Sequence, residues 1–105
     1  MINVTNILDR IREIIENETT DQLKEELNGY HVADLADIFQ EMKPDERLQC
    51  FKLLDLEKAA DLMEYLSPQI QVELLGDIDE DVASKIITKL PHDAAADVLG
   101  EMEDD

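Results

Sequence analysis

The chain is short of cysteine, aromatic residues and glycine, and each shortage excludes a class of protein. Among its 105 residues there is one cysteine, Cys50, so no internal disulfide can form. Aromatic residues make up 4% of the sequence, which predicts an aliphatic core. The three glycines lie far apart, and none belongs to a glycine-rich phosphate-binding loop. No apolar run approaches the length of about twenty residues that crosses a bilayer, so no direct membrane insertion is expected.

Basic residues are also scarce, since 9 Lys and Arg stand against 27 Asp and Glu and give a net charge of −18. This balance excludes nucleic-acid binding, which needs clustered Lys and Arg to displace counterions from phosphates. It equally excludes docking on anionic lipid through a basic patch. The remaining partners are cations and basic protein surfaces. Alternatively, the acidic residues only coat the outer faces of helices.

A pattern of twelve residues repeats six times over residues 32–103. In each unit, positions four, seven, eight and eleven are spaced i, i+3, i+4 and i+7, which is one face of an α-helix. The seventh position is apolar throughout, whereas the fourth varies and includes Arg47 and Gln71. Ser67 followed by Pro68 is a typical helix start. The units begin at Val32, Pro44, Leu56, Pro68, Glu80 and His92.

Helices of this length are marginal in isolation, so the units must stack on one another to bury their apolar faces. We therefore expect an all-α fold, an armadillo-like superhelical stack of short helices with about 12 residues per unit. A right-handed or similar coil is expected, although the repeat length leaves the hand open. The chain is predicted to be a single domain over residues 1–105. Lead-in helices occupy residues 1–30, the repeat occupies 31–103, and residues 104–105 begin a linker.

Residues that could perform catalysis or bind zinc are not arranged for either task. Cys50 stands at a seventh position, where the other units carry Ile, Leu or Val, and this predicts a small core residue rather than a nucleophile. His31 and His92 stand at unit starts and do not form a zinc signature. No Ser-His-Asp or Cys-His spacing is meaningful. The sequence predicts that the protein is not an enzyme.

Four sequence elements, in order, resemble one known family. They are HVADLAD from His31, PDER from Pro44, EKAADLMEYLSP from Glu57 and LPHDAAADVLGEM from Leu90. Residues 31–105 resemble the cytosolic N-terminal domain of MgtE-type magnesium channels and transporters, and the preceding helices fit the same domain. In that family the N domain is followed by a pair of CBS domains, a connecting helix and a membrane pore.

The resemblance implies a regulatory domain that senses Mg²⁺ and closes the pore when Mg²⁺ bridges its acidic surface to the CBS domains. It carries the metal role onto Asp61 in KAADLM, Asp93 in LPHDA and Asp97 in AAADVL. Mg²⁺ prefers oxygen ligands and keeps several waters, so weak sites shared with a partner domain need few carboxylates from each side. Without the resemblance, Asp93 would be a helix-start acid, and Asp61 and Asp97 part of a solvated face.

The resemblance also implies the partners and the location. We expect the CBS domains of the same transporter as the partner and the cytoplasmic side of the cell membrane as the location. The chain by itself is expected to be monomeric, and the full-length transporter a homodimer. The alternative interpretation is a helical-repeat module for protein–protein interaction, similar to segments of the flagellar motor switch family, without metal sensing.

Overall fold

The computed structural model describes residues 3–103, with side chains up to Gly100, and this stretch consists of eight α-helices without a strand. Residues 104 and 105, predicted to begin a linker, lie outside the described range. The helices are α1 (Val4–Asn17), α2 (Thr20–Asn28), α3 (Val32–Glu41), α4 (Pro44–Phe51), α5 (Leu56–Met63), α6 (Pro68–Asp77), α7 (Glu80–Lys89) and α8 (His92–Glu103).

The helices from α3 to α8 begin at the six unit starts that the repeat predicts. Local chemistry explains two of these starts directly. At α6, the Ser67 hydroxyl oxygen accepts a hydrogen bond from the Ile70 N–H at 3.4 Å, and Pro68 occupies the first helical position, where no N–H is needed. At α4, the carboxylate of Glu46 accepts a hydrogen bond from the backbone N–H of Lys43 at 3.0 Å. The predicted positions of the repeat helices are confirmed.

The helices are arranged in two rows, because each packs against the helix two places along the chain. One row contains α1, α3, α5 and α7, and we call it the odd row; α2, α4, α6 and α8 form the even row. Helices α1 and α2 also pack against each other. The lead-in helices are therefore the first members of the two rows. The predicted all-α stack of short helices is confirmed.

The seventh repeat position forms the centre of the core, and all six of its residues are at most 1% exposed. The eighth position is buried in α3 to α6, half-buried at Ile87 and 42% exposed at Leu99. This trend follows from the two rows, since residues 3–103 contain no helix two places beyond α7 or α8 to cover these side chains. The residues at position seven are Ile38, Cys50, Leu62, Leu74, Ile86 and Val98.

The fourth repeat position distinguishes the two rows. In the odd row it is apolar and buried, at Leu35, Ala59 and Ala83. In the even row it carries Arg47, which is 7% exposed, and the half-buried Gln71. The fourth position therefore varies in the sequence because it is polar in even-row helices and apolar in odd-row helices. Among the repeat helices, only α8, with Ala95, departs from this rule.

Each of these polar residues binds the C-terminal end of the preceding helix. Arg47 Nε donates to the carbonyl oxygen of Phe39 at 2.9 Å, and Arg47 Nη2 donates to that of Met42 at 2.9 Å. Gln71 Nε2 donates to the carbonyl oxygen of Met63 at 2.7 Å. The last carbonyls of a helix have few partners inside it, and Arg47 supplies a donor to the Met42 carbonyl. The Phe39 and Met63 carbonyls each accept one backbone N–H, and the side chains of Arg47 and Gln71 add a second donor to them.

An ion pair joins the lead-in helices to the repeat. Arg12 on α1 donates to Glu46 on α4 through Nε at 3.0 Å and through Nη2 at 3.1 Å. The hydrogen bonds from Arg12 hold the pKa of Glu46 below its ordinary value, and the same hydrogen bonds raise the pKa of Arg12. The two residues are 34 positions apart, so this contact fixes how α1 sits on the first repeat units.

Asn28, at the end of α2, makes the second connection between the lead-in helices and the repeat. Its side-chain amide donates to the carbonyl oxygen of Leu53 at 3.2 Å and accepts from the Asp55 N–H at 3.1 Å. Its own backbone carbonyl accepts from Lys58 Nζ at 2.7 Å. One asparagine thus holds the corner between α4 and α5.

Within residues 3–103, no helix combines the length and the apolar character that crossing a membrane requires.

Candidate metal-binding surface

The three aspartates that the resemblance marks as metal ligands all lie exposed on the outer faces of their helices. Asp61 belongs to α5 in the odd row, whereas Asp93 and Asp97 belong to α8 in the even row. Asp93 and Asp97 are four residues apart, so their side chains share one helix face. The structure therefore groups Asp93 with Asp97 and places Asp61 on a different helix.

The repeat explains why Asp61 and Asp97 face solvent. Both occupy the sixth position of their units, directly before the buried seventh position, and the helical rotation of about 100° per residue turns the sixth side chain outward. In α6 the sixth residue is Glu73, which is half-buried because Arg47 Nη1 donates to its carboxylate at 2.8 Å. Asp61 and Asp97 form no ion pair within the described part of the chain.

Asp93 has a structural role available to it as well. It lies in the first turn of α8, where the helix dipole stabilises a negative charge by about 0.3–1 kcal/mol. Its exposed carboxylate is still open to solvent on the outer face. The position is thus compatible both with helix stabilisation and with contact to a cation, and only measurements on variants separate the two roles.

Asp61 borders a shallow depression of about 510 Å³ between the end of α2 and the start of α5. Lys58 lies within this depression, but its ammonium group donates to the Asn28 carbonyl at 2.7 Å. Three carboxylates therefore line the same depression as a single lysine, whose ammonium group already donates to the backbone. The carboxylates are those of Asp55, Glu57 and Asp61.

Other potential metal ligands are arranged differently. Cys50 is fully buried at position seven, and desolvation raises the pKa of its thiol to about 12, so it does not supply a thiolate; its predicted place in the core is confirmed. His31 and His92 are exposed at the starts of α3 and α8. Between residues 3 and 103, no three His, Cys, Asp or Glu side chains come together as a metal site.

Two lysines that the sequence analysis did not single out also lie on a concave surface. Lys52 and Lys85 both line a groove between the α4–α5 corner and α7. The signal for Lys85 was present in the repeat, because every other unit has an acidic or amide residue at position six. The pattern of apolar residues gave no reason to look at that position.

Comparison with known families and proteins gives one match. The sequence model of the MgtE intracellular N domain matches residues 30–105, which is more than half of the chain and includes α3 to α8. No curated protein and no solved structure matches the chain.

Proposed function

Because the chain belongs to the family of MgtE intracellular N domains, we propose that it is the Mg²⁺-sensing regulatory domain of a magnesium transporter. In this proposal the domain lies on the cytoplasmic side of the membrane and docks on the CBS domains of the same transporter when Mg²⁺ is abundant. The docked arrangement keeps the pore closed. The family is a regulatory domain of transporters and not an enzyme family, and the proposal includes no catalytic step.

The observation that carries the proposal is the match to this family, taken together with the exposure of Asp61, Asp93 and Asp97. Carboxylate oxygens are the ligands that Mg²⁺ takes in proteins, and a Mg²⁺ ion that keeps most of its waters needs only one or two of them. The residues present therefore fit the ion. In the proposal Asp93 and Asp97 hold one ion on one face of α8, Asp61 holds a separate ion on α5, and the partner supplies the remaining ligands of each.

The net charge supports a switch that depends on repulsion. Two like charges 4 Å apart repel by about 1 kcal/mol in bulk water and by about 4 kcal/mol at an effective dielectric constant of 20. A chain of net charge −18 is therefore repelled from an acidic partner surface. A bound Mg²⁺ supplies the positive charge that offsets this repulsion. The aspartates of the chain present their carboxylates to the interface, and without the cation the same carboxylates drive the two domains apart.

The test is an NMR titration of the chain with Mg²⁺ at constant ionic strength, with and without a CBS-domain pair from an MgtE transporter added in trans. We expect localised amide shifts at Asp61, Asp93 and Asp97 that saturate at lower Mg²⁺ when the CBS pair is present. The matched control variant is Asp77→Asn, which removes an exposed carboxylate at a different repeat position. Diffuse shifts that Na⁺ reproduces, unchanged by the CBS pair, would contradict the proposal.

A helical-repeat module for protein–protein interaction is the second candidate function. The observation that favours it is the groove lined by Lys52 and Lys85, since such a module needs a concave apolar surface. The two candidates differ in their metal dependence. A module of this kind binds its partner without Mg²⁺, whereas the sensor requires the ion for docking.

A further inference from the structure

The groove between the α4–α5 corner and α7, which we call the α5–α7 groove, has a volume of about 490 Å³. It is the place where the N-terminal halves of two neighbouring odd-row helices meet the end of α4. Three apolar and three charged side chains carry the argument. They are Leu56, Ile78, Val82, Lys52, Asp79 and Lys85.

The apolar lining of the groove remains accessible to a ligand. Val82 is 40% exposed, and Leu56 and Ile78 are half-buried. Val82 stands at the third repeat position, where three other units carry a charged residue. Those three units carry Asp34, Glu46 and Lys58. The other two carry Ile70 and Ala94, which are half-buried against the core, whereas Val82 is exposed in the groove.

The charge on the groove is opposite to the charge on the rest of the chain. Lys85 is the single basic residue at position six and Lys52 the single basic residue at position nine, and both line the same groove. Neither forms an ion pair within the described residues, whereas Arg10, Arg12 and Arg47 each do. Asp79 lies in the groove as well, so its lining carries one more positive than negative charge.

We propose that the α5–α7 groove binds an acidic, amphipathic peptide segment of a partner protein. Apolar side chains of the segment contact Val82, Leu56 and Ile78, and its carboxylates pair with the ammonium groups of Lys52 and Lys85. A purely apolar segment leaves both lysines without a counter-charge, and a basic segment is repelled by them. An inorganic anion does not use the apolar lining. A second copy of the chain brings a net charge of −18 and is repelled as a whole.

This site is separate from the proposed magnesium surface. Neither Asp61, Asp93 nor Asp97 lines the groove, and binding of the segment requires no metal ion. The groove proposal and the sensor proposal can therefore fail independently. Peptide binding to the groove is measured in the presence of a chelator, whereas the sensor is measured by its response to Mg²⁺.

The test is a selection of random peptides displayed on phage against the immobilised chain in a buffer with EDTA. The selected peptides are then synthesised and titrated against variants. We expect the enriched peptides to combine apolar residues with at least two Asp or Glu. These peptides should bind the Lys52→Glu/Lys85→Glu double variant and the Val82→Asp variant at least tenfold more weakly than they bind the unchanged chain. All three positions are exposed, and circular dichroism verifies that the variants fold.

Matched controls use exposed residues that do not line the groove. The Lys24→Glu/Lys89→Glu double variant makes the same charge change outside the groove, and Tyr65→Asp makes an equivalent apolar-to-acidic change at a side chain that is 56% exposed. Both should bind the peptides as tightly as the unchanged chain. Three outcomes would overturn the proposal. The selected peptides lack Asp and Glu, they bind all variants equally, or no selected peptide depends on Val82 for binding. Sedimentation showing a dimer of the chain that the Val82→Asp variant abolishes would also overturn it.

Discussion

Arg47 and Gln71 occupy the same repeat position in α4 and α6, and each donates a hydrogen bond to a backbone carbonyl eight residues earlier. The two carbonyls belong to Phe39 and Met63, which occupy the same repeat position in α3 and α5. The repeat therefore specifies more than an apolar face. It also specifies a polar contact by which the even-row helices α4 and α6 bind the C-terminal end of the odd-row helix before them.

Replacing Arg47 with Met should strongly destabilise the fold. The change leaves the Met42 carbonyl without a donor and removes the second donor of the Phe39 carbonyl, which keeps the Met42 N–H. A buried group left without its partner costs about 1–3 kcal/mol, and we expect a loss in this range. Urea denaturation followed by circular dichroism measures this loss. Arg10→Met is the matched control, because Arg10 is exposed and lies 3.8 Å from Glu26, and it should leave the urea midpoint almost unchanged. Equal midpoints for the two variants would contradict the assigned role.

Adding the missing contact at α8 should stabilise the stack. Ala95 stands at the fourth position of α8, eight residues after Ile87, and is half-buried. At the end of α7, the Ile87 carbonyl accepts one backbone hydrogen bond, from the Leu90 N–H. The Phe39 carbonyl accepts the equivalent bond from the Met42 N–H at the end of α3. Ala95→Gln should supply the second donor and raise stability by about 0.5–1.5 kcal/mol, the net value of a typical hydrogen bond.

The control for Ala95→Gln is Ala96→Gln, which adds the same side chain at the next, exposed position. Both variants change helix propensity equally, so their difference reports the new contact. Thermal unfolding of the two proteins gives the comparison. If Ala95→Gln is no more stable than Ala96→Gln, the fourth position of the even row is not a general capping position.

The parts of the fold that the sequence predicts are those set by neighbouring residues. Helix starts follow from local signals such as Ser67–Pro68, and the buried seventh position follows from helical spacing. The two rows do not follow from the sequence, because a repeat of twelve residues does not say which helices pack together. The bond from Arg47 to Glu73 links positions 26 apart, and nothing local marks such a partner.

The candidate site shows the same division. The outward direction of Asp61 and Asp97 follows from their place beside a buried residue, and the structure agrees with it. Their separation onto α5 and α8 depends on the arrangement of the rows. The change of sign at Lys85 is visible in the sequence at position six, but the repeat alone does not show that Lys85 lines a groove together with Lys52. The metal role of the three aspartates stays a prediction.

The ion pair of Arg12 and Glu46 should make stability depend on acidity. Because the pKa of Glu46 is lowered in the folded chain, its contribution is fully present above the ordinary Glu pKa of about 4.3 and is lost as the pH falls through the lowered value. Glu46→Gln should therefore lower the urea midpoint at pH 7 and have a smaller effect at pH 3. Glu64→Gln, at an exposed position, is the control. A Glu46→Gln effect that is the same at both pH values would exclude this linkage.

Variants of α8 should separate the structural role of Asp93 from a metal role. Asp93→Asn removes a charge from the first turn, so it should cost about 0.3–1 kcal/mol of stability without any metal. Asp97→Asn should leave the stability unchanged or raise it slightly. Asp97 lies beyond the first turn of α8, and removing its charge reduces repulsion within a chain of net charge −18. Urea midpoints in EDTA measure this difference. In an NMR titration with Mg²⁺ at constant ionic strength, both variants should show smaller amide chemical-shift changes than the unchanged chain. If only Asp93→Asn reduces these changes, Asp97 has no metal role.

The eighth repeat position tests the two rows directly. Leu75 is 3% exposed on α6, which packs against both α4 and α8, whereas Leu99 on α8 is 42% exposed. Leu75→Ala creates a cavity in a packed interface and should cost about 2–5 kcal/mol, the usual range for buried leucine. Leu99→Ala removes the same atoms from a side chain that is still partly in water, so it should cost well under half as much. Urea denaturation of both variants gives the ratio. Because the two substitutions are chemically identical, equal losses would mean that Leu99 is buried in solution as fully as Leu75, and would contradict this account of the eighth position.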